Sequence, residues 1–470
     1  MSRTIDVVNP RTGRVDHRIA ATDPEVLGTL AGEIREEQRQ WEASGLDART
    51  GTLLEWADTV HAARAALVEA LVADTGRLAE SHMEVDAVVG SLRRWAAGAA
   101  DALGSPERRA ASVPGVAVEQ AVRPYPLVGV ISPWNFPLLL STIDAIPALV
   151  AGCAVIVKPS EIAPRFVEPL RETVPDALPL ALVTGDSETG AALVETVDAI
   201  CFTGSVATGR KVAEQAARRF IPAFCELGGK DPAVVLSSAD LDRATSAVLW
   251  GATANAGQSC QSIERVYVAA DVFEEFVDRL VAKAAAVQLA VPEPTSGQIG
   301  PIIAPRQVAV IEDHLRDAVD KGARVLSGGE VERVDGGAYV RPTVLTEVDH
   351  SMRVMTEETF GPLVPVMAFG SPDEAVRLAN DTHYGLSAAV FGAEDEAVQL
   401  ASRLEAGAVS INDASLTALV HDGEKNSFKM SGLGGSRMGA ASIRRFVRRQ
   451  ALLVSERTDP DPWWYPHLRG

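Results

Sequence analysis

Residues 198–219, "DAICFTGSVATGRKVAEQAARR", read as a buried strand, a glycine turn and a helix. A turn of this kind lets the backbone at Gly204 approach a pyrophosphate closely, with the first N–H groups of the helix aimed at it. The spacing from Gly204 to Gly209 is G-x-x-x-x-G, not the G-x-G-x-x-G dinucleotide fingerprint. Taken alone, the stretch is more readily a plain strand-to-helix connection. Its neighbours decide the fold class. "AVIVKPSE" and "LALVTG" precede it and "PAVVLSSAD" follows, with helical patterns between. That alternation argues for parallel, doubly wound α/β sheets. A second α/β set occupies about 260–410.

Residues 22–103 are helical in pattern, opening on a capping box of Thr22 and Glu25 with Pro24 in the first turn. "SGLDART" breaks the pattern before an apolar repeat resumes at Leu53. Residues 111–132, "ASVPGVAVEQAVRPYPLVGVIS", alternate like a hairpin. The apolar run 137–160 is interrupted by Asp144, Pro147 and Gly152, which fits helix, turn and buried strand better than a membrane span. The tail from Ala451 reads as one strand and an aromatic extension. Without repeats or a low-complexity linker, the domains are expected to interleave.

A chain of 470 residues implies two or three domains. Its net charge of −19 argues against affinity for nucleic acid or anionic membranes. With seven lysines against thirty-seven arginines, a lysine here is seldom mere surface solvation. The four cysteines, Cys153, Cys201, Cys225 and Cys260, form no C-x-x-C pair and have no histidines at metal spacing. No zinc site or disulfide framework is expected, and a reducing compartment follows as the default. The first residues do not read as a signal peptide. The expected location is the cytoplasm.

Several short stretches could carry chemistry. "TANAGQSC", 253–260, puts Cys260 in a turn after a helix and before a strand, as a buried spacer or a nucleophile. "PWNFP", 133–137, holds Asn135 rigidly between prolines, as an oxyanion donor must be held. "VIVKPSE" brings Lys158 and Glu161 to the carboxyl end of a strand, where a carboxylate can accept from a ribose diol and repel a 2′-phosphate. "CELGGKDP" sets Glu226 beside two glycines, a turn or a general base with room for water. "EETFGP", 357–362, adds Glu358 and Phe360.

In this order "PWNFP", "VKPSE", "FTGS", "ELGGK", "GQSC" and "EETFGP", followed by "HYGLSAAVFG" and "KMSGLG", resemble the aldehyde dehydrogenase superfamily from about Asn9 to Val454. The resemblance implies a Rossmann-type cofactor domain (1–113 and 127–226), a second α/β catalytic domain (227–432) and a small β oligomerisation element (114–126 and 449–470). It implies that Cys260 attacks an aldehyde, that Asn135 and the Cys260 N–H hold the oxyanion, and that Glu226 activates the water that releases the acid. The cofactor is expected to be NAD, with NADP possible. Trp134, Lys158, Glu161, Gly204, Ser205, Gly209, Leu227, Glu358 and Phe360 are expected to bind it. No metal is implied. A homodimer or homotetramer is expected, with Trp463, Trp464 and Tyr465 at an interface or tunnel and not in a membrane. Because Cys260 follows a helix, no helix dipole lowers its pKa, and activation falls to Glu226 or the cationic nicotinamide.

The chain also departs from the family. "EKNSFKMSG" stands where many relatives read P-F-G-G, which brings in Lys425, and "GLGGSRMG" sets Arg437 near a usual glutamate, so Glu226 is expected to work alone. Phe136, Leu139, Ile143, Ala254, Ser259 and Gln261 are expected to line the substrate tunnel. Small groups at Ala254, Ser259 and Gln261, and Ile143 in place of a frequent tryptophan, widen it toward bulky aromatic or long apolar aldehydes, carotenoid-type dialdehydes among them. The rival readings are a coenzyme A-acylating enzyme, against which Glu226 argues, and a catalytically retired homologue, which should have lost Cys260, Asn135 or Glu226.

Overall fold

The structure is a computed structural model that describes residues 3–104, 107–465 and 467. Residues 1, 2, 105 and 106 of the expected cofactor domain, and 466 and 468–470 of the expected interface tail, lie outside the described residues. Two sheets organise the chain. The first runs Leu180–Leu182, Ala154–Lys158, Leu127–Ile131, Ala199–Thr203, Ala223–Glu226, with Gly432–Leu433 closing one edge. All neighbours are parallel except the last pair. Leu127–Ile131 comes first among the five parallel strands yet sits centrally. The chain therefore winds to one side and then the other, leaving a crevice beyond the carboxyl ends of Leu127–Ile131 and Ala199–Thr203. These strands are near-continuous Val, Ile, Ala and Leu because both faces are covered.

The second sheet has seven strands in the order Arg324–Ser327, Thr343–Thr346, Leu363–Phe369, Ile263–Ala269, Asp231–Val235, Ser387–Phe391, Ala408–Ile411. Only the first pair is antiparallel. Helices Leu46–Ala62 and Ala79–Leu103 contribute Trp56, Val60, Val88 and Leu92 to the core behind the first sheet.

Three local expectations need correction. The first helix, Pro24–Ala43, is capped by Asp23, whose carboxylate accepts from the Glu25 N–H at 2.9 Å. Thr22 is instead tied through its own N–H to the Thr184 carbonyl. The helix expected to resume at Leu53 begins at Leu46. Nor does 111–132 fold back as one hairpin. Val116–Pro124 pairs with Val447–Ser455 on one side and Arg109–Ala110 on the other, whereas Leu127–Ile131 enters the first sheet. Pro124 and Pro126 explain the split, since neither can donate to a ladder between the two segments.

Candidate active site

Cys260 lies between helix Leu241–Thr253 and strand Ile263–Ala269, on a turn of unusual backbone. Asn255 and Ala256 both have φ 55°, in the left-handed region that costs a non-glycine residue about 1 kcal/mol or more. Buried amides offset that cost. The Asn255 amide donates to the carbonyls of Asn135 (3.0 Å) and Gln258 (2.9 Å). The Gln258 amide donates to Asn255 and Pro301 carbonyls and accepts from the Ile303 N–H. Gly257, at φ 71°, presses against the Gly361 carbonyl, and a Cβ there would meet its carbon at 2.3 Å.

This turn is bolted to "PWNFP". The Asn135 side chain donates one N–H to the Gln258 carbonyl at 3.0 Å. An amide has two such donors, so the other is free for a ligand. A single cleft of about 640 Å³ is lined by Cys260, Asn135 and Glu226 together with Trp134, Lys158, Glu161, Gly204, Ser205, Leu227, Glu358 and Phe360. Most of these follow strand ends of the first sheet, as its winding dictates. Lys158 ends Ala154–Lys158, with its ammonium 3.5 Å from Glu161 Oε2. Burial first of all lowers the Lys158 pKa, and Glu161 opposes that. Ser205 caps helix Val206–Arg218 by accepting from the Thr208 N–H. The Trp134 and Phe360 rings meet edge to face, centroids 5.5 Å apart.

Gly209 behaves differently from its expected role. It faces Leu227, whose Cδ2 would lie 2.3 Å from an added Cβ, so the second glycine serves close packing of helix on loop and does not line the cleft. The cleft also gathers Thr208, Lys211, Arg306 and Gln307, which no motif had singled out.

Glu358 reaches the cleft from the second sheet's loops, accepting from the Gly229 N–H at 3.1 Å. Burial pushes its carboxyl up to about 8, with Glu264 adding repulsion. Glu264 is itself a scaffold. It accepts from the N–H groups of Thr359 (2.7 Å) and Phe360 (2.8 Å) and from the buried Lys230 ammonium (2.6 Å). That pins the backbone between the cleft-lining Glu358 and Phe360. It was illegible in sequence because "IERV" is an ordinary strand.

Burial pushes the Cys260 thiol up to about 12, and the charge that most opposes this is Lys425. The charge that most favours the thiolate is thus the lysine within "EKNSFKMSG". Glu226 is not isolated either. Its Oε2 accepts from the Ser427 hydroxyl at 2.9 Å. Arg437 donates to Thr203, the in-register neighbour of Glu226 on the adjoining strand.

The six expected tunnel residues do not line one cavity. Ile143 lines a separate cavity of about 330 Å³ with Trp95, His421 and Arg437, while Ala254 lines another of about 670 Å³ with Trp250 and Thr253. Phe136 packs under Arg77, whose Cζ is 4.5 Å from the ring centroid. The Leu139 N–H donates to the buried Glu84 carboxylate. Ser259 accepts from the Gln261 N–H, and Gln261 accepts from the Thr417 hydroxyl at 3.0 Å.

The profile of the "Aldehyde dehydrogenase family" matches residues 1–452. A putative succinate-semialdehyde dehydrogenase [NADP(+)] of Mycolicibacterium smegmatis is 37% identical over 462 residues, 96% of this chain and 89% of that protein. A 4,4'-diapolycopene aldehyde oxidase of a Methylomonas species is 40% identical over 354 residues, 73% of this chain and 65% of that protein. The solved structure of the putative aldehyde dehydrogenase PutA from Anabaena variabilis superimposes with a TM-score of 0.97 at 57% identity, covering 98% of this chain and all of that one. Sheet winding, cleft and sequence relationship agree, and the chain belongs to the aldehyde dehydrogenase family of NAD(P)-dependent aldehyde oxidoreductases.

Proposed function

We propose that the protein oxidises an aldehyde to its carboxylic acid through a covalent intermediate on Cys260. The observation that carries this reading is the convergence of Cys260, Asn135 and Glu226 on one cleft with Lys158, Glu161 and Gly204. The thiol proton passes through water to solvent as the sulfur adds to the aldehyde carbon, and the new oxyanion is met by the free Asn135 N–H and the Cys260 backbone N–H. Lys158, Glu161 and Gly204 would hold a nicotinamide cofactor, which would supply the hydride acceptor needed for oxidation of this adduct to a thioester. Water then adds to the thioester carbon and its proton passes to the Glu226 carboxylate. The carbon–sulfur bond breaks, its electron pair returning to sulfur.

The residues present fit a dinucleotide. Gly204 leaves a turn too tight for a Cβ, which would meet the Phe202 ring at 2.7 Å, and the capped start of helix Val206–Arg218 faces the cleft. Glu161, at the end of the ribose-binding turn, favours NAD over NADP. The domain division, with cofactor and catalytic units around the two sheets and an oligomerisation element at 114–126 and 449–470, belongs to the same reading. So does a homodimer or homotetramer joined through the sheet of Val116–Pro124 and Val447–Ser455. Among the described residues no helix is long and apolar enough to cross a membrane.

For the substrate, a bulky aromatic or long apolar aldehyde is preferred, on the small side chain of Ser259 beside Cys260. The Methylomonas relative is named for such a substrate and the mycobacterial one for a short acidic aldehyde. NADH formation across acetaldehyde, succinate semialdehyde, aromatic and long-chain aldehydes, with and without coenzyme A, decides between them. Turnover independent of coenzyme A and cut by more than about 10³-fold in Cys260→Ala is expected. Preserved turnover in that variant defeats the mechanism, and best kcat/KM on acetaldehyde or succinate semialdehyde defeats the bulky-substrate assignment.

A further inference from the structure

Behind the first sheet lies a buried cluster of three charges. Asp144 is fully buried at the break between helices Pro137–Thr142 and Ala145–Ala151. Arg437 binds it bidentately through one edge, Nη2 to Oδ2 at 2.7 Å and Nε to Oδ1 at 3.2 Å. Arg445 adds a third contact, Nη2 to Oδ1 at 2.7 Å. Its guanidinium is locked between Phe224 and Phe446, 5.1 Å from each ring centroid. Two cations against one anion leave an excess positive charge in a site where charge is expensive unless balanced.

The cluster has one arm toward the cleft. Arg437 Nη2 also donates to the Thr203 hydroxyl. Thr203 and Glu226 are in-register partners on parallel strands, and both line the cleft with Cys260. Neighbouring strands lie about 4.8 Å apart, and in-register residues face the same side. Arg437 therefore stands directly behind the threonine beside Glu226. Glu226 is the carboxylate facing that excess charge from the cleft side, and it adds to Asp144 in raising the Arg437 pKa against the effect of burial.

Resting on the reading of Glu226 as the base for deacylation, we propose that Arg437 is a positioning residue for that step. Clamped by Asp144, it fixes Thr203 and balances the Glu226 carboxylate, so that the carboxylate stays aimed at the water attacking the Cys260 thioester. Acylation, which uses Asn135 and Cys260, does not depend on it. The water's oxygen bonds to the thioester carbon, its proton goes to Glu226, and the departing pair returns to the Cys260 sulfur.

The test separates the two half-reactions in full-length protein turning over a good aldehyde with NAD. Arg437→Met and the near-isosteric Thr203→Val are each expected to slow steady turnover about tenfold or more. First-turnover NADH formation should stay within about threefold of wild type. Intact-protein mass spectrometry should then show the acyl adduct accumulating on Cys260, as in Glu226→Gln. Arg437→Lys should recover part of the loss. The assignment is overturned if first turnover and steady turnover fall together without adduct, or if Thr203→Val behaves as wild type. If Glu226→Gln itself turns over normally, the reading of Glu226 as base fails instead, which is a separate result.

Discussion

On the cofactor side of Cys260 the cleft is walled by segments that directly follow strands of one sheet. "PWNFP" follows Leu127–Ile131, Lys158 and Glu161 end Ala154–Lys158, Gly204 and Ser205 follow Ala199–Thr203, and Leu227 follows Ala223–Glu226. On the opposite side the contacts come from 416–440 and reach across the chain. Thr417 holds Gln261 over a separation of 156 residues, Ser427 holds Glu226 over 201, and Arg437 holds Thr203 over 234. Winding a parallel sheet obliges its strand ends to form a crevice, so the first wall is a property of the fold. The second is built from side chains that can change one at a time, Lys425 and Arg437 among them.

The sharpest way to break that contrast is Asn135→Ala. If the strand-end wall carries the chemistry, losing this one amide should lower kcat by about 10²–10³-fold with little change in KM for cofactor. Thermal melting measured beside the kinetics separates this from loss of the Gln258 tether. A loss under tenfold would move oxyanion stabilisation to other donors.

A smaller effect is expected across the cleft, at Lys425→Met. In the free enzyme the thiol is held up by burial, so alkylation of Cys260 by iodoacetamide should climb about tenfold per pH unit without a plateau below pH 10. Removing the cation should slow alkylation about 3–10-fold at each pH, read on the Cys260 peptide by mass spectrometry. Unchanged rates would mean that the variable wall does not tune the nucleophile.

The same contrast explains what the sequence discloses. Strand ends with Pro, Gly, Lys and Glu are legible because strand and function are adjacent in the chain. Gly209 is misread because a glycine for close packing and a glycine for a phosphate look alike in sequence, and only Leu227 above it tells them apart. Asn255 and Gln258 stand beside Cys260, yet their role is to carry hydrogen bonds that hold a left-handed backbone, which no spacing announces. The hairpin read at 111–132 fails because alternation defines a strand without naming its partner, here Val447–Ser455. Ile143 and Ala254 are grouped by what the resemblance implies at their positions, whereas the fold brings them to separate cavities.

Glu358 is the instructive exception, a cofactor-side residue delivered by a loop of the second sheet. Its carboxyl occupies the space that a side chain at position 228 would need, with Oε2 2.5 Å from an added Cβ on Gly228. Burial raises its pKa from 4.5 to about 8. Between those values the folded form holds a proton that the unfolded chain has lost, so stability falls as pH rises through this window. The contribution is complete below about pH 4.5 and gone above about pH 8. Glu358→Gln never ionises and escapes the loss. The melting temperature of Glu358→Gln relative to wild type should therefore climb from pH 5 to pH 9, by no more than a few degrees in a protein of this size. Asp74 and Glu84, each pushed up to about 7 by burial, bend both curves alike and cancel in the difference. A difference that stays flat with pH would mean that Glu358 is already ionised in the folded enzyme. It would then enter the cleft as an acceptor only, and the loop from the second sheet would serve the cofactor on the same terms as the strand ends of the first.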